Sequence, residues 1–113
     1  MKKSEIIKYS KKLNTTNLSA LRSGNISIRA SEKGVDGFYI TPSGRKYSTL
    51  KNKDIVYVSL KGKFDKKLGI PSSEWKFHQD IYIKKEDANA IVHSHSTNAT
   101  ALSAHKKSIP AFH

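Results

Sequence analysis

Asn25-Ile26-Ser27-Ile28-Arg29, followed after Gly34 to Gly37 by Phe38-Tyr39-Ile40, is the stretch whose reading decides the fold. Apolar and polar residues alternate over 26–29, the period of a strand with two unlike faces, and the glycine-bearing segment is turn chemistry. Residues 25–41 therefore predict a β-hairpin, entered through Ser23-Gly24 and closed by the tight loop Thr41-Pro42-Ser43-Gly44. Working outward, Ile55-Val56-Tyr57-Val58-Ser59-Leu60 is the strongest strand in the chain, ended by a turn at Lys61-Gly62-Lys63. Toward the N-terminus, Ile6, Ile7, Tyr9 and Leu13 stand near helical spacing, a helix over 4–16 that starts from Ser4. Pro71-Ser72-Ser73-Glu74 predicts another helix start, with a serine cap, an acid in the first turn, and Trp75, Phe77, His78, Ile81 and Tyr82 on the buried side. Ala88 to His95 then reads as a buried strand and Ser96 to His105 as an Ala-rich helix. The pattern is α/β with early antiparallel pairing rather than a strict βαβ series.

With 113 residues the chain is too short for two full domains, and with no cysteine it has no disulfide, no thiolate metal ligand and no cysteine nucleophile. Any metal must rest on His and carboxylate groups. The basic start runs into only Ile6-Ile7 before Lys8, and no stretch reaches the roughly 20 apolar residues of a membrane span, so a soluble cytoplasmic protein is expected. The formal charge is +12, from 21 Lys+Arg against 9 Asp+Glu. All but Arg22, Arg29 and Arg45 of those cations are Lys, scattered in pairs such as Lys2-Lys3, Lys66-Lys67 and Lys84-Lys85. Base-edge recognition leans on Arg, so the charge reads as a solvated Lys-rich surface, or a field drawing in small anions, before it reads as a nucleic-acid interface.

The groups able to do chemistry are few. His93 and His95 close the strand at 88–95, and the period of two puts both imidazoles on one face, where they can converge on one ion. Taken alone, the pair is equally compatible with two imidazoles hydrogen-bonded at a strand edge. Glu74 stands at a helix N-terminus, a place suited to anions, although without further context it reads as no more than a complement to the helix dipole. His78, four residues on, shares its helix face and reads as a structural hydrogen-bonding group. Ser23-Gly24-Asn25, Thr41-Pro42-Ser43-Gly44 and Pro71-Ser72-Ser73 each offer backbone N–H groups and short polar side chains, the makings of a phosphate nest without an Arg fork. Singly each is a plain turn.

Five stretches in succession resemble the motifs of the class II aldolase/adducin family: Gly24 to Arg29, Ile40 to Gly44, Pro71 to His78, Ala88 to His95 and Ile109-Pro110-Ala111-Phe112-His113. The resemblance covers essentially the whole chain. It implies a central mixed, largely antiparallel sheet flanked by helices, of which residues 1–113 are the N-terminal portion of a single domain. It also implies a zinc-dependent, reversible aldol cleavage of a sugar 1-phosphate to dihydroxyacetone phosphate and an aldehyde. Carried over by position, Glu74 would be the catalytic acid/base, Glu74, His93 and His95 metal ligands, and Gly24, Asn25, Ser43, Gly44, Ser72 and Ser73 the holders of the substrate phosphate. Zinc would act as the Lewis acid and the serine loops would fix the reacting carbon relative to it.

Family domains are longer than this chain. The resemblance places a third zinc-binding His, further strands and covering helices in a C-terminal part beyond His113, and implies a homotetramer acting on a phosphorylated ketose, while the scattered Lys and the lack of a long apolar stretch lead to the expectation of no nucleic-acid or membrane partner. His105 and His113 are weak candidates for the third ligand. Glu rather than Asp at position 74 favours aldolase over the epimerases of the family. A 4-epimerase or dehydratase on a similar substrate, and an adducin-like module without catalysis, are the other readings.

Overall fold

The computed structural model describes residues 2–15, 25–43, 49–93 and 100–102. The predicted hairpin is present: β1 (Asn25–Glu32) pairs antiparallel with β2 (Val35–Ile40), from Ser27 opposite Ile40 to Glu32 opposite Val35. Its turn is shorter than expected. Lys33 and Gly34 both have positive φ, 52° and 79°, the two-residue turn whose twist matches that of the strands it joins. Gly37 accordingly lies inside β2. A Cβ there would sit 2.6 Å from the Tyr57 hydroxyl and closer still to the Val58 carbonyl oxygen, so the position is kept bare by its neighbour strand.

That neighbour is β3 (Val56–Ser59), and α1 (Lys2–Thr15), α2 (Trp75–Lys84), β4 (Ala90–His93) and β5 (Thr100–Leu102) complete the described elements, with a single 3₁₀ turn at Asn52–Asp54. The strands form one sheet in the order β3-β2-β1-β4-β5, and every described pair is antiparallel. The chain thus leaves β3 through α2 and returns on the far side of β1, which makes β1 the centre of the sheet with a hydrogen-bonded partner along each edge.

The period of two divides the sheet into two faces. Ile26 and Ile28 of β1, with Ala90 and Val92 of β4, pack under Ile6 of α1 and Ile55. The opposite face carries Phe38, Ile40, Val56, Val58 and Ile91, closed by Tyr82 of α2 and Ala88. On this second face β1 contributes Asn25, Ser27 and Arg29: Asn25 is 4 % exposed, Ser27 fully buried and Arg29 half-buried. The polar half of the alternation is therefore a buried seam beneath α2.

Two expectations are corrected. Phe77, predicted on the buried side of α2, is 44 % exposed, because the helix turns His78 and Tyr82 toward the sheet. Residues 100–102, predicted helical, form β5, with Ala90 opposite Leu102 and Val92 opposite Thr100. The open edge of β4 offers backbone partners that the weak helical preference of an Ala-containing segment does not match. The remainder of 96–105 and the motif at 109–113 lie outside the described residues.

Candidate active site

The site forms where the N-terminus of α2 crosses the ends of β1 and β4. Asn25 and His93 are cross-strand partners, so both side chains leave the α2 face of the sheet side by side. Glu74 is the residue preceding the helix rather than a member of its first turn, and its carboxylate does not cap its own helix. It reaches across instead: Oε1 accepts from the Asn25 carboxamide at 3.3 Å and lies against Nδ1 of His93. The Glu74 side chain is 39 % exposed and that of His93 21 %, so the pair is half-open to solvent.

His93 Nδ1 is itself buried and has no partner aligned as a hydrogen bond. Glu74 and His93 are thereby brought into direct contact, and a carboxylate and an imidazole are the side-chain types that ligate a divalent cation such as zinc. Among the described residues no group of three potential ligands converges. His95, predicted as the companion of His93, lies outside the described residues, as do Gly24 and Gly44.

The serine loops are brought together as well. Ser72 N–H donates to the Thr41 carbonyl at 2.9 Å and Ser43 N–H to the Ile70 carbonyl at 3.0 Å, which staples the loop after β2 to the loop before α2. Thr41 also anchors this pair to β1, donating its N–H to the Ile26 carbonyl at 3.1 Å and accepting the Ile26 N–H on Oγ1 at 3.3 Å. The consequence differs from the sequence reading. The N–H groups of Ser43 and Ser72 are spent on the staple, and those of Glu74 and Trp75 turn back to Ser72 Oγ and the Ser72 carbonyl. What these loops present are hydroxyls: Ser43 and Ser73 are exposed, and Ser72, 8 % exposed, accepts from Glu74 N–H and keeps its own proton to donate.

Beneath Glu74 runs a buried chain of polar groups. His78, fully buried, faces the Asn25 Oδ1 through Nε2 and Ser27 Oγ through Nδ1 at 2.6 Å, and Ser27 Oγ lies 2.8 Å from the Tyr82 hydroxyl. Burial, reinforced by the nearby His93, pushes the His78 pKa down to about 3, so the ring is neutral. Burial likewise raises the Tyr82 phenol above its ordinary value. The expectation of a structural hydrogen bond for His78 is met, with Asn25 standing between it and Glu74.

Farther along the same seam Arg29 grips the other end of α2, donating to the carbonyls of Ala88 at 2.7 Å and of Tyr82 and Lys85 at 3.0 Å, with its guanidinium over the Tyr82 ring. The helix is thus held from β1 at both ends. Ser27, Thr41, Tyr82 and the role of Arg29 are not evident from motif reading. The signal that finds them is the coincidence of a polar strand phase at 25, 27 and 29 with a polar pair at 78 and 82, four apart on a helix.

The profile of the Class II Aldolase and Adducin N-terminal domain matches residues 4–113. An L-fuculose phosphate aldolase of Haemophilus influenzae is 44% identical over 90 residues, covering 80% of this chain and 39% of that protein. A 5-methylthioribulose-1-phosphate/5-deoxyribulose-1-phosphate aldolase of Rhodospirillum rubrum is 38% identical over 108 residues, covering 96% and 47%. Among solved structures an L-fuculose 1-phosphate aldolase superposes with a TM-score of 0.74 at 39% identity, over 83% of this chain and 43% of that one. The chain spans less than half the length of these relatives.

Proposed function

The chain belongs to the class II aldolase and adducin family, and on that premise we propose that it is the N-terminal portion of a metal-dependent sugar-phosphate aldolase, cleaving a ketose 1-phosphate reversibly to dihydroxyacetone phosphate and an aldehyde. The observation that carries the reading is the meeting of the Glu74 carboxylate with the His93 imidazole at the mouth of the stapled serine loops. Glu74 moves the proton at the carbon that becomes nucleophilic: it is half-exposed, within reach of a bound substrate, and held in place by Asn25. The hydroxyls of Ser43, Ser72 and Ser73, with Gly24, Asn25 and Gly44, take the phosphate, and the staple between residues 41–43 and 70–72 keeps that anchor at a constant distance from Glu74. His93, His95 and Glu74 are the residues of this chain that would hold Zn2+, which when bound supplies Lewis-acid stabilisation of negative charge developing on the substrate oxygens. A third His comes from sequence beyond residue 113, and the working form is a cytoplasmic homotetramer.

The test is product analysis with L-fuculose 1-phosphate and 5-deoxyribulose 1-phosphate as substrates. Release of dihydroxyacetone phosphate supports the reading. An epimerised ketose phosphate, or loss of water without carbon–carbon cleavage, refutes it in favour of an epimerase or a dehydratase. Glu74→Gln keeps bound zinc and loses turnover, whereas His93→Ala loses the metal as well, with metal content read by mass spectrometry. A Glu74→Gln protein turning over at the wild-type rate removes Glu74 from the acid/base role.

A further inference from the structure

The polarity of the buried chain beneath Glu74 can be worked out from its open end. A carboxylate only accepts, so the Asn25 group facing Glu74 Oε1 is its Nδ2–H, and the carboxamide cannot be the other way round. Oδ1 of Asn25 then faces His78 Nε2, and since a carbonyl oxygen only accepts, that nitrogen carries the proton. A neutral imidazole has one proton, so Nδ1 accepts, and Ser27 must donate its hydroxyl to it. Ser27 has no second proton and therefore accepts from Tyr82. Every donor in the row points toward Glu74, and each group admits one arrangement.

We infer that Tyr82, Ser27 and His78 form a positioning relay, in which the Nε2–H tautomer of His78 locks the Asn25 carboxamide so that it donates to the Glu74 carboxylate. The relay touches neither Glu74 nor its substrate, except through Asn25 and the helix backbone, so its members are positioning residues. Three features carry it. Ser27 and His78 are fully buried and Tyr82 is 1 % exposed, so water cannot replace a missing member. The row crosses between β1 and α2 three times, through Tyr82–Ser27, Ser27–His78 and His78–Asn25, tying the helix that Glu74 precedes to the strand that faces it. The carboxylate it ends on is half-exposed and would otherwise sample several rotamers, which the Asn25 bond removes. The inference rests on the reading of Glu74 as the acid/base, and deepens it.

The experiment has two independent parts. In the 15N-labelled protein, long-range nitrogen–proton correlation reads the His78 tautomer, and the Asn25 side-chain amide protons report their protection from exchange. The expected result is an Nε2–H tautomer and a protected amide, with protection lost in His78→Leu and retained in His78→Gln, whose carboxamide can accept from Ser27 and donate to Asn25. In steady-state kinetics His78→Leu lowers kcat by about 10–100-fold, the range found for groups that orient a site's primary residues, while KM stays within about threefold and His78→Gln restores most of kcat. An Nδ1–H tautomer in the wild type overturns the relay whether or not the variants fold. So does an unchanged kcat in His78→Leu. A wild-type protein with no carbon–carbon cleavage refutes the aldolase reading instead, and leaves the tautomer and the amide protection to decide the relay.

Discussion

Ser27→Ala is the sharpest perturbation of this fold, because it deletes one oxygen atom and nothing else. Ser27 Oγ lies 2.6 Å from His78 Nδ1 and 2.8 Å from the Tyr82 hydroxyl, and all three side chains are at most 1 % exposed. The substitution strands an acceptor and a donor together in a space too well packed for water to enter. Each stranded group costs about 1–3 kcal/mol, the penalty of burying a polar atom without a partner. The loss of stability is therefore about 2–6 kcal/mol, a large part of the total for a domain of this size. Urea unfolding followed by tryptophan fluorescence at Trp75 measures it, with an unchanged slope showing that the unfolded reference is the same. Adding Tyr82→Phe separates this account from simple loss of packing. Phe removes the stranded hydroxyl, so the double variant is no less stable than Ser27→Ala alone, although Tyr82→Phe on the wild-type background costs about 1 kcal/mol. A loss below about 0.5 kcal/mol for Ser27→Ala, or strict additivity of the two substitutions, would refute the sealed seam.

Other consequences are testable by the same means. Gly37→Ala drives a methyl into the Val58 carbonyl and the Tyr57 hydroxyl and should cost about 2–4 kcal/mol in thermal or urea unfolding. Tyr57→Phe does not rescue it, because the closer obstacle is backbone; a stable Gly37→Ala protein would mean that the β2–β3 register differs. His78 has a pKa of about 3 when folded against 6.5 when free, so below about pH 6.5 the unfolded chain takes up a proton that the folded one refuses. Stability then falls by about 1.4 kcal/mol per pH unit on acidification toward pH 3, and is unaffected by this group above pH 7. Comparing the pH dependence of unfolding between wild type and His78→Gln isolates the contribution; identical slopes between pH 6 and 4 would contradict a neutral, sealed imidazole.

Much of this protein is determined by local pattern. The alternation at 26–29, the apolar run at 55–60 and the helix start at 71–75 are each set by their own residues, because the period of hydrophobicity is a property of a short window. The five motifs in order fix family membership in the same way, and the absence of cysteine leaves only His and carboxylates as metal ligands. What no window contains is which partner an element meets. Phe77 faces outward because α2 is rotated by the bonds that His78 and Tyr82 make to Ser27, a residue some fifty positions earlier. Residues 100–102 are a strand because β4 has an unpaired edge. Glu74, which by position alone is a helix-terminal acid, becomes a group aimed at His93 and Asn25, since the sheet order carries β4 to the side of β1 and sets those two residues opposite each other. Ser27 and Arg29, polar in a strand that could have been half-solvated, end beneath a helix and hold both its ends. The chemical capacity was written in the residue types; its direction came from long-range pairing, in which a hydrogen bond's donor and acceptor are chosen by the fold and not by their neighbours in the chain.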